Sequence, residues 1–135
     1  VRLEEHQSNA LKIAHWLSNR PEVETVLHPA LTSCPGHEFW RRDFSGSSGL
    51  FSIILKTFPD KQVNAMLDNM DYFAMGYSWG GFESLMVPCN PAKIRSATKW
   101  NANGPLLRIH VGQEDVQDLI QDLERGLMRL SGKNK

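Results

Sequence analysis

Apolar residues in this chain repeat with two different periods, and the changes of period divide it into elements. Leu3, Ala10, Ile13, Ala14 and Leu17 fall at helical spacing, with Glu4, Glu5, Gln7, Ser8 and Lys12 opposite, which predicts an amphipathic helix over residues 2–19. Pro21 closes it, because the residue before a proline is displaced from helical backbone angles. Val23 to Leu27 reads as a short strand, and residues 30–49, rich in glycine and serine, as a loop. Leu50 to Lys56 is largely apolar and β-branched, the pattern of a buried central strand. Pro59-Asp60 opens a second helix through Asn69, with Val63, Met66, Leu67 and Met70 on one face. Tyr72 to Gly76 and Ser84 to Val87 are further strand candidates, and residues 88–104 form a second loop. In Leu106 to Val111 the period is two: Leu107, Ile109 and Val111 alternate with Leu106, Arg108 and His110. The last helix, Glu114 to Leu130, aligns Val116, Leu119, Ile120, Leu123, Leu127 and Leu130 in one stripe. Glu114, Asp115 and Asp118 lie near its positive end and Arg125 and Arg129 near its negative end, as the helix dipole favours.

Short strands mixed with helices predict an α+β domain, a small, mostly antiparallel sheet with helices packed on one face. The other sheet face, bearing Arg108 and His110, is then expected to meet solvent or another domain. His37, Phe39, Trp40 and Phe44 put more apolar surface into the first loop than water tolerates, so that loop is expected to pack against this domain or a neighbour.

Composition narrows the function classes. The 135 residues suit a single domain with one core. Fifteen basic and fifteen acidic residues cancel, so no net field draws the chain to nucleic acid or an anionic membrane surface. No apolar run approaches the roughly 20 residues that span a bilayer. Cys34 and Cys89 have no metal-type spacing and read as reduced thiols of a cytosolic protein. The chain starts at Val1, already inside a helical pattern by Leu3, from which we expect residues 1–135 to be one domain of a longer protein.

The densest chemistry lies in Met75-Gly76-Tyr77-Ser78-Trp79-Gly80-Gly81-Phe82-Glu83-Ser84-Leu85. Clustered glycines mark a backbone bend or a close approach to something bound, and Tyr77 and Trp79 add large rings with one polar handle each. Gly76, Ser78 and Gly80 match the Gly-x-Ser-x-Gly nucleophile elbow of serine hydrolases. That reading requires a strand before Ser78, a helix after it, then an acid and a histidine. His110 is the sole histidine after Ser78, and Glu83, the sole carboxylate between them, is too near Ser78 to serve comfortably. Neither His28 nor His37 has partners spaced for a metal. Arg108 is a candidate fork for a planar carboxylate, although a strand-face arginine is more often an ion pair at a surface or interdomain contact. An interaction domain whose sheet face docks a partner also stays open.

More of the chain bears on the choice. Trp16-Leu17, Val26-Leu27-His28-Pro29, Phe39-Trp40-Arg41-Arg42-Asp43-Phe44, Gly46-Ser47-Ser48-Gly49-Leu50-Phe51-Ser52, Tyr77 to Leu85, and Leu106-Leu107-Arg108-Ile109-His110-Val111-Gly112 with Glu114-Asp115 together resemble the C-terminal domain of the cystathionine β-lyase family. That family belongs to the pyridoxal 5'-phosphate (PLP) enzymes of cysteine and methionine metabolism, whose relatives include the cystathionine γ-synthases and γ-lyases. The resemblance implies the small C-terminal domain of a fold-type I PLP enzyme, here without its larger PLP-binding domain. It implies a cytoplasmic homo-oligomer, a tetramer at full length, that cleaves cystathionine to homocysteine, pyruvate and ammonia in methionine biosynthesis. It further implies a substrate site of Arg108 on the carboxylate, Ser78 as a positioning group, and Trp79 and Tyr77 at the pocket. The related γ-enzymes usually carry leucine at the position of Trp79, so the tryptophan favours the β-lyase. Thr98-Lys99-Trp100 imitates the family's Schiff-base segment but lies downstream of the Ser-Trp-Gly-Gly loop instead of upstream, so Lys99 is expected to be exposed. On this reading the chain holds no cofactor-binding residue, and alone it should not catalyse.

Overall fold

The computed structural model describes residues 1–133. The chain runs α1 (Arg2–Ser18), β1 (Val23–Leu27), α2 (His37–Asp43), β2 (Leu50–Leu55), α3 (Asp60–Leu67), β3 (Leu85–Cys89), a 3-10 turn (Pro91–Lys93), β4 (Leu106–His110) and α4 (Val116–Leu130). The strands form one antiparallel sheet in the order β1-β2-β4-β3, the α+β architecture expected. β4 is central because its residues pair on both sides: Arg108 faces Ser52 of β2 and Val87 of β3, and His110 faces Leu50 and Leu85. β3 runs through Pro88, which is tolerated because this strand lies at the sheet edge.

The sheet's period of two builds the core. Phe51, Ile53 and Leu55 of β2 and Leu107 and Ile109 of β4 are buried in one cluster with Ile13, Ala14 and Leu17 of α1 and Leu119, Leu123, Leu127 and Leu130 of α4. Each leucine, isoleucine or phenylalanine among them stabilises the fold by about 1.5–3 kcal/mol through burial. Gly126 allows α4 to approach α3, since a Cβ there would come within 3.2 Å of Met66 Cγ, and within 2.8 Å of Met70 Sδ just beyond that helix.

Four expectations change. Leu3 does not join the core but stays 61% exposed, while His6 and Asn9 take buried positions on α1. The first loop contains α2, entered through Gly36 at φ +82°, and it leaves Phe39 and Phe44 exposed. The sheet face of Arg108 and His110 is not open: residues 74–84 cross it, so that His110 is buried and Arg108 half-buried. Tyr72 to Gly76 is not a strand and makes a single parallel bridge, Ala74 to Leu85.

The cause of the last change is Asp122, a buried carboxylate on the apolar side of α4. Its Oδ1 accepts the Asp71 N–H at 2.9 Å, and Oδ2 accepts those of Tyr72 at 2.8 Å and Phe73 at 3.3 Å. Backbone donors collected by one carboxylate are unavailable to a ladder, so the chain enters the 74–84 crossing bent instead of extended. Asp122→Ala should lower the unfolding free energy by about 3 kcal/mol, because buried N–H groups lose their acceptor, with Asp122→Asn intermediate; urea titration of both variants measures it.

His28 makes a pH prediction. Its Nδ1 accepts the Ala30 N–H at 3.2 Å, its Nε2 is buried without a hydrogen-bond partner, and its ring lies 5.4 Å from that of Phe51. Burial, helped by the positive charge of His15, lowers its pKa from 6.5 to about 4. A depressed folded-state pKa means that the fold favours the neutral ring. Stability should therefore be complete above about pH 6.5 and fall as pH drops toward about 4, by at most about tenfold in the folding constant per pH unit for this one proton. His28→Asn keeps an acceptor for Ala30 but cannot ionise, and chemical unfolding midpoints across this window should flatten, leaving the smaller slope that His110 contributes.

Candidate functional site

The segment from Met75 to Leu85 is held almost wholly by its backbone. Arg108 Nη2 donates to Gly76 O at 3.2 Å and Tyr77 O at 2.7 Å. His110 Nε2 lies 3.2 Å from Gly80 N and 3.1 Å from Gly81 O. Gln113 N–H donates to Phe82 O at 2.8 Å. Glu114 closes the segment: Oε1 accepts the Ser84 N–H and Oε2 the Ser84 hydroxyl, both at 2.8 Å, while Ser84 Oγ accepts the Gly112 N–H at 2.8 Å. Gly112 must be glycine, since a Cβ would overlap the Phe82 carbonyl oxygen and the Glu114 carboxylate. With the main chain tied in this way, the side chains point outward. Tyr77 is 85% and Trp79 58% exposed, and Ser78 is exposed beside them.

Arg108 is the charged residue that reaches this turn from the sheet. β4 is paired on both sides, so the guanidinium leaves a rigid base. Among the described residues it has no carboxylate partner, and Nη2 alone is engaged, which leaves Nε and Nη1 as donors for an incoming group. Nη2 is shared by both two-donor edges of the guanidinium, so a planar carboxylate bound by the fork would take over Nη2 hydrogens now on the Gly76 and Tyr77 carbonyls. All four residues singled out in the sequence, Tyr77, Ser78, Trp79 and Arg108, thus belong to one locality, three on the turn and one beneath it.

His110 and Glu114 belong to the site without having been singled out for it. Glu114 precedes the helix instead of serving as a first-turn charge, and Asp115 is the cap, accepting the Gln117 N–H at 2.8 Å. His110 is buried with its ring 5.1 Å from that of His6, and burial is the main force holding its pKa below the usual value. A cavity of about 440 Å³ opens here, lined by His6, Trp79, Gly80, Gly81, Phe82 and His110 among others. An imidazole inside an alternating strand and a glutamate just ahead of a helix look ordinary in sequence, and only the returning turn makes them matter.

Ser78 does not sit at a nucleophile elbow. No strand leads into it, since residues 75–84 carry none, β3 instead of a helix follows, and His110 Nε2 is engaged with the backbone at Gly80 and Gly81. Nor do the residues present fit the Schiff-base attachment of PLP. Every described lysine, Lys99 included, is exposed, whereas a carbonyl-condensing lysine needs a desolvated setting to be neutral. Cys34 and Cys89 are free, and the described residues contain no cluster of metal-ligating side chains.

Several known proteins are similar to this chain over nearly its whole length. The cystathionine beta-lyase of Haemophilus influenzae is 53% identical over 135 residues, 97% of this chain and 34% of that protein. That of Salmonella typhimurium is 51% identical over 134 residues, 96% of this chain and 34% of that protein. A crystal structure of cystathionine gamma synthase from Xanthomonas oryzae, in complex with aminoacrylate and cysteine, superposes with a TM-score of 0.82 at 33% identity, covering 98% of this chain and 35% of that one. The chain therefore spans about a third of the length of the curated relatives it matches. The family model described as Cys/Met metabolism PLP-dependent enzyme matches residues 1–128, and this chain belongs to that family.

Proposed function

We propose that this chain is the C-terminal, substrate-binding domain of a PLP-dependent carbon–sulfur lyase that cleaves cystathionine, with water, to homocysteine, pyruvate and ammonia. The observation that carries this reading is Arg108, a guanidinium without a carboxylate partner among the described residues, placed under the Tyr77-Ser78-Trp79 turn. PLP supplies the electron sink of the lyase reaction when bound, and it belongs to the part of the polypeptide outside residues 1–135. The residues of this chain bind and orient. Arg108 takes the substrate carboxylate, Ser78 offers a hydroxyl to the polar end, and Trp79 and Tyr77 wall the pocket and exclude water. The exposed groove of Leu3, Phe39, Trp40, Phe44 and Leu50, about 900 Å³, is the face on which the PLP-binding domain would dock.

A γ-synthase or γ-lyase is the second reading, since a γ-synthase has the same fold at 33% identity. The β-lyase relatives, at 53% and 51%, favour the first. Among the described residues no helix is long and apolar enough to cross a membrane. A cytoplasmic homotetramer is part of the proposal, and sedimentation of the protein carrying this domain tests its mass.

Replacing Arg108 by lysine keeps the charge but loses the fork. In the protein carrying this domain, Arg108→Lys should reduce kcat/KM for cystathionine by an amount equivalent to about 1.5–3 kcal/mol, since the desolvated carboxylate loses one charge-assisted hydrogen bond of the fork. The cofactor absorbance should not change. Arg125→Lys is the control and should have little effect, because its short ion pair is with the exposed Asp71, its contact with the buried Asp122 is at 3.5 Å, and Asp122 keeps its backbone donors. Near-normal kcat/KM in folded Arg108→Lys would refute the assignment and leave Arg108 as a tether of the Gly76 and Tyr77 carbonyls.

A second test concerns the alternatives at Ser78 and Lys99. A fluorophosphonate probe should leave Ser78 unlabelled, and borohydride reduction of the PLP-loaded protein should place no cofactor on Lys99. Labelling that Ser78→Ala abolishes would establish the hydrolase reading instead, and stoichiometric cofactor on Lys99 would overturn the assignment of PLP to another part of the polypeptide.

A further inference from the structure

Between the Arg108 bond to Tyr77 O and the Gln113 bond to Phe82 O, the main chain passes through Ser78, Trp79, Gly80 and Gly81. Over these residues His110 Nε2 is the one hydrogen-bond anchor among the described residues. Packing does not replace it: a Cβ built at Gly80 or Gly81 would meet no atom within 4 Å, and Gly80 sits at φ +91°. Without a polar anchor such a turn has a wide choice of backbone conformations. The imidazole, by contrast, is enclosed. It lies against the His6 ring, and His6 Nδ1 is itself fixed by a 2.7 Å bond to Val111 O. On another side Gly49 leaves room for it, since a Cβ there would come within 3.2 Å of both Cε1 and Nδ1. The charged and titratable groups facing it are His6 from α1, Arg108 from its own strand and Glu114 ahead of α4, with Arg2 lining the same cavity.

We infer that His110 is a positioning residue: through Nε2 it fixes the Gly80–Gly81 backbone and so aims the Trp79 ring at the substrate. A ring nitrogen is either donor or acceptor, so one neutral tautomer receives the Gly80 N–H and the other donates to Gly81 O. His110 Nδ1 is buried without a partner, so no protein hydrogen bond to that nitrogen selects between the tautomers. Two close-lying arrangements of the turn follow, differing in which peptide group faces the imidazole. Specificity at Trp79 is therefore set partly by a residue that does not touch substrate. The inference rests on the substrate-facing reading of the turn, but the anchor itself is testable without catalysis.

The test uses the protein that carries this domain, with His110→Leu and His110→Gln. The glutamine amide reaches the Nε2 position and supplies both a donor and an acceptor, whereas leucine supplies neither. Amide hydrogen exchange over Trp79–Phe82 should quicken about five- to tenfold in His110→Leu, the effect of losing one hydrogen bond, and return in His110→Gln. Exchange at Leu123 in the core serves as the fold reference. For cystathionine, KM should rise in His110→Leu while kcat changes less, with His110→Gln close to wild type. Three results overturn the inference: unchanged exchange in folded His110→Leu, glutamine behaving like leucine, or faster exchange with KM and kcat both unaltered. Should the wild-type protein not cleave cystathionine, the proposed function falls, and exchange alone decides whether His110 anchors the turn.

Discussion

Because successive side chains on a strand point to opposite faces, β4 cannot serve the core without also presenting a second row of residues. Leu107 and Ile109 lie in the apolar cluster under the helices, so Arg108 and His110 must face the crossing segment. Pairing on both flanks, to β2 and β3, keeps the strand from sliding, and a one-residue slip would exchange the two rows. The position of the guanidinium beneath the turn is therefore a consequence of core packing, and the same burial that stabilises the domain aims the candidate site.

The turn is held from the other direction by carboxylates. Asp122 collects the donors at Asp71, Tyr72 and Phe73 where the crossing begins, and Glu114 collects those of Ser84 where it ends. Both acids come from α4 or its approach, an element whose apolar stripe locks it into the core. Anchoring through main-chain atoms leaves the side chains of Tyr77, Ser78, Trp79 and Phe82 exposed. This arrangement fits a fold shared between a cystathionine gamma synthase and the beta-lyase relatives.

The legible part of the site was the part with distinctive chemistry. Ser78, Trp79 and the glycines form an unusual cluster in the sequence, and an arginine in an alternating strand has one obvious face. Asp122, Glu114 and His110 were not legible in the same way. Asp122 interrupts the apolar side of α4 between Leu119 and Gly126, which signals a buried acid, but the groups it binds are some 50 residues away in the chain. His110 is half of an alternation that any exposed strand could show, and its partner Gly80 is 30 residues distant.

The local sequence, through periodicity, β-branched runs and prolines, determined the three long helices, the four strands of the sheet within a few residues, and the side of β4 on which each residue lies, because these follow from backbone geometry that repeats at 3.6 or 2 residues. The tertiary structure alone decided that Tyr72 to Gly76 bends instead of pairing, that Leu3 stays at the surface while His6 is buried, and that the second sheet face is covered. Each of those outcomes depends on which distant group captures a backbone donor or fills a space. Single-residue patterns carry no information about such partners until the chain has closed on itself.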